Sequence, residues 1–149
     1  MEKIRIRQAD LDDYKSIKNL MKESQKYNLS ISPNIYKNVN SLIEFDEFLK
    51  LLSDKSLYVA DAEKETIGYM KISRKNTETK ALISRDIVVI EDIFVTELYR
   101  DNGAENMLIS YLKAKGYDNI EIEINTKNEY LINIIKRLDF KEKSTVYIF

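Results

Sequence analysis

Ile4 and Ile6 alternate with Lys3, Arg5 and Arg7, the period-two pattern of a strand that buries one face. The spacing then changes: Tyr14, Ile17, Leu20 and Met21 recur at helical intervals behind Asp10, a good N-cap. From Tyr27 to Asn40 the pattern lapses into a stretch with Pro33 and several Asn and Ser, which reads as a loop with a short turn. Ser41 and Glu44 have capping-box spacing ahead of Leu42, Phe45, Leu49 and Leu52, so a second helix is expected there. Leu57 to Ala62 and Thr66 to Ser73 are strand-like runs around a charged turn, a hairpin. A polar loop near Lys75 to Lys80 leads into a longer strand, roughly Ile87 to Val95.

Beyond Gly103, Ala104, Met107, Leu108, Tyr111 and Leu112 return to helical spacing. Ile120, Ile122 and Ile124 then alternate with Glu121 and Glu123, a strand whose glutamates form its solvated face. Thr126 and Glu129 repeat the capping-box spacing before a helix that buries Leu131, Ile134, Ile135 and Leu138, and Ser144 to Phe149 reads as a terminal strand. The predicted order is β-α-α-β-β-β-α-β-α-β. Strand, helix and strand from Ile87 to Asn125 make a crossover unit, whose two strands run parallel. The other pairings are expected to be antiparallel, which gives an α/β architecture: a mixed, largely antiparallel central sheet flanked by helices.

Composition narrows the class. The chain has 149 residues, room for one domain over 1–149, and no repeat or linker divides it. Its 24 Lys plus Arg against 25 Asp plus Glu, a net charge of -1, give no global reason to expect a nucleic-acid partner. With no Cys and no His, an acyl-cysteine intermediate, a Cys/His zinc site and a Ser-His-Asp triad are all excluded, and no metal site is expected. Any general base is then a carboxylate, lysine, tyrosine, terminal amine or bound water. Met1 to Arg5 carry no apolar signal core and no run approaches membrane-spanning length, so a cytoplasmic protein without a membrane partner is expected.

One stretch carries candidate chemistry. Ile90-Glu91-Asp92-Ile93-Phe94-Val95 places two adjacent carboxylates on a strand, and Arg100-Asp101-Asn102-Gly103 follows in a chain with only 3 Gly. Strict alternation puts Glu91 on one face with Ile93 and Val95, and Asp92 on the other with Ile90 and Phe94. A partly buried carboxylate with a raised pKa can take the proton of an amine, and either residue qualifies. Backbone amides at Phe94 or Val95 are placed to polarise a carbonyl, as an oxyanion site does. The amides from Arg100 to Asn106, at a helix start, suit a diphosphate. The same residues have a plainer reading, in which Asn102 caps the helix and Glu105, three residues on, completes the box.

Order and residues together resemble the Gcn5-related N-acetyltransferase (GNAT) superfamily, over nearly the whole chain and most sharply from Ile90 to Leu108. That family has an R/Q-x-x-G-x-G/A turn that binds the coenzyme A pyrophosphate, and here the turn reads Arg100-Asp101-Asn102-Gly103-Ala104-Glu105. Glu91 to Val95 looks like the matching strand of polyamine-type acetyltransferases, where the residue at the Glu91 position is the base. Asn128 and Phe140 match a further signature, an asparagine at the start of the last helix with a Phe twelve residues on.

The resemblance implies direct acetyl transfer from acetyl-coenzyme A to a primary amine of a small molecule or peptide. It implies that Ile93, Phe94, Val95, Arg100, Asp101, Asn102, Gly103, Ala104, Glu105, Asn106 and Asn128 contact the coenzyme. Many relatives are homodimers. Tyr27, Tyr36 and Phe45 come from the region that borders the acceptor pocket. Three positions depart from the pattern: Glu105 replaces Gly or Ala, Ile135 stands where a proton-donating Tyr is usual, and Asp139 precedes Phe140 in place of Gly. Tyr130 and Tyr147 are substitutes for the missing acid, or else packed aromatics. The alternative implied by these departures is a GNAT-fold domain with weak or no turnover that binds acyl-coenzyme A or a protein partner.

Overall fold

A computed structural model of the chain describes residues 3–149. Five strands form one sheet in the order β1-β2-β3-β4-β5. They are β1 (Ile4–Gln8), β2 (Leu57–Ala62), β3 (Glu65–Asn76), β4 (Asp86–Val95) and β5 (Ile120–Ile122), with helices α1 (Tyr14–Ile31), α2 (Phe45–Ser53), α3 (Ala104–Ala114) and α4 (Glu129–Arg137). Strands β1 to β4 pair antiparallel and β4–β5 is parallel. The α/β class and the mixed, largely antiparallel sheet are as the residue pattern implies.

The sheet buries both faces because its strands are apolar on both. Leu57, Val59, Tyr69 and Phe94 meet Ile17, Leu20 and Met21 of α1 and Phe48 of α2. Tyr58, Ala60, Ile67, Met70, Ile90, Ile93 and Val95 meet Ala104, Leu108, Leu112 of α3 and Ile134 of α4. Alternate residues of β2 thus supply opposite layers. In α1 the buried residues Ile17, Leu20, Met21 and Ser24 trace one helical stripe. Among the described residues no helix is long and apolar enough to cross a membrane.

Five local expectations are corrected. Tyr27 to Ile31 is the last turn of α1, not loop. The apolar signal stops there because the inward residue Asn28 faces a polar cleft, and the helix ends where Pro33 would deny it an amide. In α2 the buried side chain is Phe48, while Phe45 and Leu49 are exposed. Ser41 bonds the Ile43 carbonyl and does not cap the helix. In α4 the cap is Asn128, whose Oδ1 accepts from the Leu131 amide at 3.1 Å, so Thr126 has no capping role. Ser144 to Phe149 forms no strand, and Val146, Tyr147, Ile148 and Phe149 stand almost wholly in solvent. Strand propensity without a paired edge does not make a strand.

Candidate active site

Strands β4 and β5 pair only over Val88↔Ile120, Val89↔Glu121 and Ile90↔Ile122, and then part. The gap is a cleft of about 350 Å³. Glu91, Asp92 and Ile93 line it from β4, Ile124 and Asn125 from beyond β5, and Asn28 and Tyr36 from the α1 side. Backbone groups of the two diverging strands have no ladder partner between them, so a ligand that enters here finds unpaired donors and acceptors.

The two carboxylates owe their directions to a β-bulge. Lys71 pairs with Asp92 and Ile72 with Ile90, which leaves Glu91 as the extra residue. Strict alternation therefore fails at this point. Ile90 and Ile93, three apart, both enter the α3/α4 core, whereas Asp92 turns with Phe94 towards Tyr69. Glu91 does not share a face with Ile93 and Val95. It projects outward, exposed, and accepts the Ser73 hydroxyl. An additional residue in an otherwise regular strand carries no signature in hydrophobic periodicity.

Asp92 accepts the hydroxyl of Tyr69, a side chain with no exposed surface. Burial raises the Asp92 carboxyl above the usual carboxylate range, while the Tyr69 hydroxyl, the Lys71 charge and the Ile93 amide each pull it back. Burial, with the Asp92 charge next, pushes the Tyr69 hydroxyl well above its ordinary value, and a bond from Ser24 opposes this. Tyr69 and Asp92 thus form a bonded pair beside the cleft, with Ser24 of α1 near the tyrosine. Tyr69 and Lys71 were not legible as site residues, because a tyrosine or lysine inside a strand run has no distinguishing pattern.

At the other end of β4, Gly68 allows a close crossing. A Cβ there would lie 2.8 Å from both the Phe94 carbonyl oxygen and Val95 Cγ2. The turn that follows is tied down by Thr96, whose hydroxyl donates to Glu23 Oε1 of α1 at 2.9 Å. Asp101 and Gly103 take left-handed conformations at φ 71° and 82°, and α3 opens at Ala104 with Gly103 as its cap residue. No side chain caps it, so the plainer capping reading of Asn102 and Glu105 is overturned. The helix begins one residue too late for Asn102 to reach it. The amides of the first turn stay available to an anion, as the ligand reading requires.

Glu105 does not fold back over that turn. It is 3% exposed and points inward, where Tyr130 of α4 donates its hydroxyl to Oε1. Burial, then the Glu105 carboxylate, pushes the Tyr130 hydroxyl far above its usual range. Arg100 also turns inward. Its Nε donates to the Val95 carbonyl at 3.2 Å, and its guanidinium stacks 4.2 Å from the Tyr130 ring centre, 5.2 Å from Phe94 and 5.4 Å from Tyr27. Asp101 and Asn102 are exposed, and Asn106 is half-buried.

Other expected site residues scatter. Asn128 lines the cleft as the α4 cap, and Tyr27 Oη lies 3.5 Å from its Oδ1. Phe45 packs on Tyr14 at 5.1 Å, away from the cleft, and Tyr147 is exposed on the terminal segment. Ile135 packs against the α3/α4 core. Glu121 binds Lys75 and Lys143 at the surface, but Glu123, expected on the solvated face, lines the cleft.

Known proteins place this arrangement. An acetyltransferase (GNAT) domain family matches residues 6–146. A tetramutant of the BH1408 protein from Bacillus halodurans superposes with a TM-score of 0.85 at 21% identity, covering 97% of this chain and 98% of that one. Aminoglycoside N-acetyltransferase AAC(6')-Iy in complex with CoA superposes at 0.68 and 19% identity, covering 100% and 95%. The aminoglycoside acetyltransferase meta-AAC0020, from an uncultured soil metagenomic sample and in complex with trehalose, gives 0.64 at 18% identity, with 98% and 94% covered. No curated protein matches the chain. These identities carry the fold alone, but the family match spans nearly every residue, and the chain belongs to the GNAT acetyltransferase family.

Proposed function

We propose that the chain transfers an acetyl group from acetyl-coenzyme A directly to a primary amine of a small molecule or peptide. The observation that carries this reading is the β4 bulge, which sets Asp92 and Glu91 at a cleft opened by the parting of β4 and β5. The residues present fit the coenzyme at two places. The uncapped α3 amides and Gly103, with open space around its Cα, suit a diphosphate, and the unpaired backbone beyond Ile90 suits a narrow arm. Asn128 adds a side-chain amide beside that arm.

When bound, acetyl-coenzyme A supplies the activated acetyl group, and with no cysteine in the chain the transfer needs no acyl-enzyme. Asp92 accepts the proton that the amine must shed, because Tyr69 holds it and burial makes it a stronger base than a surface aspartate. Glu91 and Glu123 draw a cationic amine to the cleft mouth. Ile135 offers no proton to the leaving thiolate. Acetyl-coenzyme A dependence supports work in the cytoplasm, and a chain without cysteine is compatible with it. AAC(6')-Iy is an aminoglycoside acetyltransferase, which places multiply charged small amines first among acceptors to try.

The test exploits the composition: a protein without thiols lets a thiol reagent report released coenzyme A with no background. Turnover of any amine in a panel of polyamines, amino acids, aminoglycosides and peptides supports the reading, and coenzyme binding without turnover of any of them counts against it. A second reading, a coenzyme- or partner-binding domain of weak turnover, is favoured by the Tyr130–Glu105 contact beside the coenzyme path.

A further inference from the structure

We propose that Tyr130 and Glu105 form a plug in the coenzyme path, so that this pair of residues sets coenzyme affinity. The inference rests on the coenzyme reading above. A molecule that spans from the first turn of α3 to the β4/β5 cleft must run along Phe94 and Val95. Tyr130 lies across that line. It stands two residues after Asn128 and one before Leu131, which both border the cleft, and its hydroxyl reaches Glu105 in the first turn of α3. The same hydroxyl lies near the Val95 amide, the β4 donor nearest the turn. Arg100 completes the closure by stacking on the Tyr130 ring and bonding the Val95 carbonyl.

The chemistry makes the plug costly to open. An incoming arm can displace the tyrosine, but it cannot replace the donor that Glu105 loses, and a buried carboxylate without a donor is strongly unfavourable. A diphosphate at the α3 amides also brings negative charge next to that carboxylate. Glu105, anomalous in the family's turn, and Tyr130 therefore make sense as a pair: each satisfies the other in the absence of ligand, and together they oppose coenzyme entry in two separable ways, by charge and by occupancy.

The two contributions are read by calorimetry with two probes, coenzyme A and the armless nucleotide 3′-phosphoadenosine 5′-diphosphate. Glu105→Gln, which keeps a Tyr130 contact but removes the charge, tightens both probes by a similar factor. Adding Tyr130→Ala tightens coenzyme A by about tenfold more, the upper scale of one neutral hydrogen bond, and leaves the nucleotide unchanged. If the second substitution moves both probes alike, or neither, Tyr130 is not in the path and the plug is refuted while the coenzyme reading stands. If no protein, wild type included, binds either probe, the coenzyme reading fails and the plug falls with it. Should the double variant not fold by circular dichroism, Tyr130→Phe replaces it: loss of the hydroxyl alone then tightens coenzyme A and leaves the nucleotide unchanged, and equal binding overturns the proposal.

Discussion

Two carboxylate–tyrosine pairs stand at the two ends of the β4 site, Asp92 with Tyr69 and Glu105 with Tyr130, and they do opposite things. Tyr69 lies wholly beneath the sheet and steadies Asp92 from behind, so the carboxylate still faces the cleft. Tyr130 of α4 meets Glu105 in the first turn of α3, and Glu105 faces inward with 3% of its surface exposed. The same hydrogen bond makes one carboxylate available and the other unavailable. What decides is which partner has water on its far side, and that is a property of packing and not of residue type.

The largest expected effect separates the pairs by function. Asp92→Asn lowers turnover by about 10²–10⁴-fold with coenzyme affinity unchanged, if Asp92 is the proton acceptor. A loss of that size from Glu91→Gln, with Asp92→Asn mild, would reverse the assignment.

Gly68→Ala attacks the junction between the two ends. The new methyl has no space against the Phe94 carbonyl and the Val95 side chain, so a loss of roughly 1–3 kcal/mol is expected from overpacking. Denaturant midpoints measure it, and an unchanged midpoint means the crossing is looser than it looks.

Tyr69→Phe sharpens the comparison through pH. The Tyr69 hydroxyl favours the ionised form of Asp92, so its loss raises the Asp92 pKa further and moves the acid limb of the kcat/KM profile to higher pH. Stability responds with a definite sign as well. Because the folded pKa of Asp92 is raised, folding takes up a proton there. Its contribution to stability is full below the ordinary aspartate value and is lost as pH rises through the raised one. Asp13, lowered by the Arg7 guanidinium and the Asp10 amide against the pull of burial, behaves in reverse: its contribution is present above the ordinary value and lost as pH falls through the lowered one. An acid limb unmoved by Tyr69→Phe would show that another group titrates in the rate.

The smallest effect belongs to Glu91→Gln. An exposed charge at the cleft mouth is worth about 0.2–1 kcal/mol, so KM for a cationic amine rises by a factor of about 1.4 to five and kcat stays put. Raising the ionic strength mimics it.

Much of this was written locally. The stripe Ile17, Leu20 and Met21, the β2–β3 hairpin, the long β4 strand and the helix after Gly103 all follow from period, because burying an apolar face imposes the period of the element that buries it. The candidate turn and the Glu91-Asp92 pair were legible for the same reason: scarce residue types stood at a strand end and a helix start. Other things had no local trace. The bulge at Glu91 adds one residue without changing composition, yet it turns Glu91 away from the face it would share with Ile93 and Val95. Asn102 and Glu105 had the spacing of a capping box, and only the position of Gly103, left-handed and one residue later, denied them that role. The segment Ser144 to Phe149 had strand propensity and no neighbour. The sequence by itself determined the order of elements as far as α4, the layers and the absence of cysteine and histidine chemistry, since these depend on residue identity and near-neighbour spacing. Tertiary structure alone decided that Tyr69 supports Asp92 and that Tyr130 meets Glu105. Those contacts join residues 23 and 25 positions apart, across elements whose relative placement no local pattern records.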